Sequence, residues 1–105
     1  MDVVNNADLN NPDDFKNLTE EQQEILQDWI LKNLERDNRF DLATNSYDLK
    51  HIFSDSLNGF YITNGQFKGA MLAAGYEVKD ELLKNWCFNV SKRSIDKVKE
   101  TIYLM

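Results

Sequence analysis

The sequence predicts a mostly helical α+β fold: three helices, a small β-hairpin and a C-terminal helix. Three observations carry that expectation. Capping residues stand at Thr19, Ser46, Thr63 and Ser91, each ahead of an apolar run with helical period. Trp86, Phe88 and Val90 alternate with Cys87 and Asn89, the period-two pattern of a strand. The 105 residues are 42% hydrophobic and 11% aromatic, enough apolar surface for one core in a chain too short for two independent domains.

Residues 1–17 are rich in Asn and Asp, hold the only proline, Pro12, and show no apolar period. They are expected to form a flexible or loosely docked arm ahead of one domain over 18–105. Thr19 and Gln22 make a capping box, and Ile25, Leu26, Trp29, Ile30 and Leu34 share one face, so a first helix is expected over 19–36. Its acids come early and Lys32 and Arg36 come late, as the helix dipole favours. Ser46 is expected to cap a short second helix that turns Leu49, Ile52 and Phe53 inward and ends at the Asn58-Gly59 turn.

Phe60, Tyr61 and Ile62 form a β-type triplet, and Thr63 with Gln66 opens a third helix that closes at Gly75. Phe67, Ala70, Met71 and Ala74 should be its buried stripe. Gly65 and Gly69 inside it cost about 1 kcal/mol each relative to alanine. Close packing should offset that cost, against the first helix in the simpler reading or against a docked ligand in the sharper one. Residues 76–78 and 86–90 are expected to pair as the hairpin, and Ser91 caps a last helix with Ile95, Val98 and Ile102 in line.

The net charge of −6 opposes non-specific DNA affinity, but it is unevenly spread. Residues 1–41 hold eleven acids and four bases, and residues 42–105 hold seven acids and eight bases. His51 is the only histidine and Cys87 the only cysteine, so an internal disulfide and a histidine metal cluster are both excluded. A Cys87–His51 dyad lacks a third positioning group, and a packed strand cysteine is the plainer reading. The acids Asp13, Asp14, Glu20, Glu21 and Glu24 match no calcium-loop spacing and read as a solvated face. No catalytic activity, cofactor or metal is expected. With no leader-like segment and no long apolar run, the expected location is the cytoplasm, away from the membrane.

The order helix, turn, helix, hairpin over 46–90 resembles winged helix-turn-helix domains, whose helix before the hairpin enters the major groove. That resemblance makes Asn64, Gln66 and Lys68 candidate readers of double-stranded DNA, with Lys92, Arg93 and Lys97 of the last helix as phosphate anchors. Gln66 could equally complete the helix cap and Asn64 could equally occupy the first turn. Two departures stand out: the wing loop over 79–85 carries Leu82 and Leu83, and the 60–62 triplet precedes the third helix where the winged order puts a strand before the second.

Thr63-Asn-Gly-x-Phe-x-x-Ala-Met-x-x-Ala-Gly-Tyr76, followed by Asn85-Trp-x-Phe-Asn-Val-Ser91, is also similar to short proteins and protein tails encoded by phages and mobile elements of Gram-positive bacteria. The resemblance spans about 46–91 and implies a mobile-element origin, with no catalytic residue to carry over. Two functional expectations follow. One is a non-catalytic accessory or regulatory protein that binds DNA. The other is an inhibitor or adaptor whose acidic N-terminal surface meets a host or element-encoded protein.

Overall fold

The structure, a computed structural model, describes residues 9–104. Among them the chain forms a 3-10 segment, Pro12–Asn17, and four helices: α1 (Glu20–Asn33), α2 (Ser46–Asp55), α3 (Asn64–Ala73) and α4 (Lys92–Tyr103). The fold is mostly helical. Capping explains where each helix begins. Thr19 and Thr63 exchange hydrogen bonds with Gln22 and Gln66 in full capping boxes, and Ser91 Oγ accepts from Ser94 N–H. At α2 the cap is Asn45, which makes the reciprocal pair with Asp48, and Ser46 is the first helical residue. Ser46 instead faces Trp86: its N–H donates to the Trp86 carbonyl at 2.7 Å, and its Oγ accepts the Trp86 N–H at 3.0 Å.

The first helix ends three residues short of the expected 19–36 span, because the chain after it is claimed by a distant segment. Leu34 turns extended, Arg36 forms an antiparallel bridge with Val90, and Asp37 and Asp41 N–H donate to the carbonyls of Asn89 and Phe88. Residues 86–90 are therefore shared. On their other side Val78 bridges Phe88 and Lys79 N–H donates to the Cys87 carbonyl at 2.9 Å. The Asn89 side chain accepts from Glu77 N–H at 2.7 Å, in place of a ladder carbonyl. The expected hairpin is thus reduced to a single antiparallel bridge among the described residues.

Phe53 sits at the centre of the core, edge-on to Trp29 at 5.4 Å and to Phe60 at 5.1 Å between ring centroids. The expected apolar stripes meet there: Leu26 and Ile30 from α1, Ile52 from α2, Phe67 and Met71 from α3, Ile95 and Val98 from α4. The α3 helix closes at Gly75, whose φ of +90° suits a residue without a Cβ, and Tyr76 N–H reaches back to the Met71 carbonyl.

The segment ahead of α1 differs most from expectation. Residues 1–8 of the expected flexible arm lie outside the described residues, but residues 10–17 are seated on α3. A Cβ at Gly65 would fall inside 3.0 Å of Asn11 backbone atoms, and one at Gly69 inside 3.0 Å of the Pro12 carbonyl oxygen and Phe15 Cβ. The two glycines thus admit the N-terminal segment, not α1. Asn11 caps that segment through the Asp13 N–H, and Phe15 packs on the core.

Candidate functional site

The docked segment decides the fate of the expected DNA readers. Asn64 is buried, and its Nδ2 lies within hydrogen-bond reach of Asn10 Oδ1, the Lys84 carbonyl and Asn85 Oδ1 at 2.8–3.2 Å. Lys68 is 2% exposed. Its ammonium donates to the Asn10 carbonyl at 3.2 Å and lies 4.5 Å from the centre of the Trp86 ring, and burial lowers its pKa. Gln66 is half-buried and spends its side chain on the Thr63 cap. With residues 10–17 in place, Asn64 and Lys68 are therefore internal and Gln66 is a capping residue. Lys92, Arg93 and Lys97 are exposed on α4, Lys92 in an i,i+4 pair with Asp96 at 2.7 Å.

The neighbouring surface holds a cleft of about 520 Å³ between α2, residues 9–10 of the N-terminal segment, the stretch from Tyr61 to Asn64, and residues 84–85. The α2 helix contributes Tyr47, Lys50 and His51, one turn apart and so on one face. Tyr61 comes from the extended stretch, pointing out while Ile62 points in. Lys50 is only 6% exposed, and its ammonium lies 5.0 Å from the Tyr47 ring centre and 5.4 Å from that of Tyr61. Burial lowers its pKa. His51 packs edge-on to Tyr47 at 4.5 Å. Sequence reasoning missed this cleft; the i, i+3, i+4 spacing of Tyr47, Lys50 and His51 was the available signal.

Cys87 does not line that cleft with His51. Burial, then the charges of Asp41 and Asp48, push its thiol pKa up, which leaves it protonated and a poor nucleophile at neutral pH. Among the described residues no three His, Cys, Asp or Glu side chains are placed to hold a metal ion, and no helix is long and apolar enough to cross a membrane.

A third feature is acidic. Glu20 and Glu24 of α1 line a shallow recess together with Phe15 of the docked segment, so the acids of α1 adjoin that segment. Asp13, Glu20, Glu21 and Glu24 are exposed. The close ion pairs among the described residues, Lys32–Asp28 and Lys92–Asp96, take up none of them. These features give a mostly helical structure with an acidic face and a basic, aromatic cleft. Comparison with protein-family models, with curated proteins and with solved structures gives no match for this chain.

Proposed function

We propose that the protein is a non-catalytic accessory or regulatory module that binds a basic protein partner through the acidic face of its N-terminal segment and α1. One observation carries this reading. Residues 10–17 cover the helix that the winged-helix resemblance assigns to a DNA groove, and the surface they make with α1 presents Asp13, Glu20, Glu21 and Glu24 unpaired with any described cation. Such a face attracts cationic surfaces and repels phosphate. The loop over 79–85 agrees, since Leu82 is 95% exposed where a phosphate-contacting tip would be basic. The resemblance of the 63–91 run to mobile-element proteins supports a role within such an element.

The test compares the full chain with a variant in which Asp13, Glu20, Glu21 and Glu24 become Asn or Gln, both as bait in host-cell extract. The expected result is a captured protein with a basic surface that the variant loses and that salt elutes. An identical captured set with both baits would sink the reading. Duplex DNA binding is the second reading, favoured by the exposed Lys92, Arg93 and Lys97 of α4. It calls for affinity that falls steeply with salt and is lost on charge reversal at Arg93 and Lys97.

A further inference from the structure

The cleft beside α2 goes beyond the acidic-face reading, because none of the acids of that face lines it and its described lining has the opposite electrostatic character. Among the described residues its lining includes Lys50, Lys84 and the chain's only histidine, and no carboxylate, in a protein with 18 acids. Lys50 is the telling member. The residue is 6% exposed, and removing an ammonium from water even in part is costly unless it is compensated. Here the compensation consists of the Tyr47 and Tyr61 rings, and neither close ion pair of the described residues includes Lys50. A positive charge thus stands at an open cleft with no anion of the described residues paired to it.

The walls add a second requirement. Tyr61 is 75% exposed and Tyr47 49%, so two rings on which an aromatic ligand can stack remain accessible to solvent. Asn64 lines the same wall, and its buried Oδ1 has no partner among the described residues, which leaves an acceptor unclaimed. The volume of about 520 Å³ suits a ligand of mononucleotide size, since small-molecule sites span roughly 300–1,000 Å³.

The geometry points to a nucleoside phosphate as the ligand of this cleft, its base stacked on the tyrosine side and its phosphate on Lys50 and Lys84. A duplex presents no free base face, so the source is either a free nucleotide or a single strand of nucleic acid. Both offer the same pairing of a π-face with an anion.

The experiment uses the full chain and a short fluorescein-labelled oligothymidine, read by anisotropy at low salt, with adenosine monophosphate and inorganic phosphate as competitors. Saturable binding is expected. Tyr61→Ala should weaken it roughly tenfold, the scale of one lost base stack. Lys84→Gln should weaken it and make the salt dependence shallower by about one charge. Leu57→Ala, 92% exposed and outside the cleft, should change nothing. Displacement by adenosine monophosphate identifies the nucleotide unit as sufficient, and its failure to displace identifies the single strand; either supports the site. The inference is overturned if there is no saturable binding, if Tyr61→Ala is without effect, or if phosphate competes as well as the nucleotide. Tyr61 and Lys84 are both exposed, and circular dichroism with thermal melting verifies that these variants fold. Neutralising the acidic face should leave the cleft's affinity at least as high, so the two proposals fail separately.

Discussion

Replacing Gly69 with alanine sets two effects of opposite sign against each other. In the helix interior alanine is favoured by about 1 kcal/mol, so a helix free on that side would be stabilised. At this position the new Cβ would collide with the Pro12 carbonyl oxygen and Phe15 Cβ. The α3 helix cannot retreat, because Phe67, Ala70 and Met71 on its other side are fully buried. The N-terminal segment must lift. Lifting exposes Phe15, only partly buried and so worth about 1–2 kcal/mol. It also breaks the hydrogen bond from Lys68 to the Asn10 carbonyl, worth about 1 kcal/mol. The net expectation is a loss of about 1–2 kcal/mol, concentrated in residues 9–17. Hydrogen exchange reads it at the Asp14 and Leu18 amides, which donate to Asn11 and Phe15 carbonyls in the docked segment. Faster exchange at both, with α3 still protected, is the expected result. A variant that is about 1 kcal/mol more stable, with unchanged protection at Asp14 and Leu18, would refute the account of the glycine seam.

Two further outcomes follow from buried polar groups. Ser46→Ala strands the Trp86 N–H in the interior, so it should cost about 1–3 kcal/mol and lower the melting temperature by several degrees; an unchanged melt would show that this bond carries no stability. Lys68→Met isolates one buried ammonium whose folded pKa lies below the ordinary 10.5. The unfolded chain then binds the extra proton between the two values, so the wild type should gain stability relative to the variant as pH rises toward 10.5, with no trend near neutrality. Denaturant titrations of both proteins at several pH values check this, and a difference that is constant up to pH 10.5 contradicts it.

Helix starts were legible in the sequence because capping is local: Thr19, Thr63 and Ser91 each find their partner three residues on. Ser46 misled because its hydroxyl is spent on Trp86, forty residues away, while the adjacent Asn45 does the capping. Gly65 and Gly69 announced a close approach without naming what approaches. The occupant is a polar segment with no periodicity, recognisable only once α3 exists to receive it. The burial of Asn64 and Lys68 was hidden for the same reason, since it involves Asn10, more than fifty residues earlier. The hairpin was half-legible: the alternation of Trp86, Phe88 and Val90 is real, but composition gives no hint that residues 35–41 compete for the same backbone.

That competition has a kinetic consequence. Beside the Arg36–Val90 bridge, the exit of α1 is fastened by residues at the start of α4: Ser91 N–H donates to the Glu35 carbonyl at 2.8 Å and Glu35 N–H to Ser94 Oγ at 3.1 Å. Closing a loop of that length is entropically slow compared with forming any of the helices it encloses. During synthesis α1 can wind as soon as it emerges, yet the hydrogen bonds that hold its trailing end need the 88–94 stretch to have emerged as well. The stretch at the start of α4 therefore works as a clasp on a helix wound well before it.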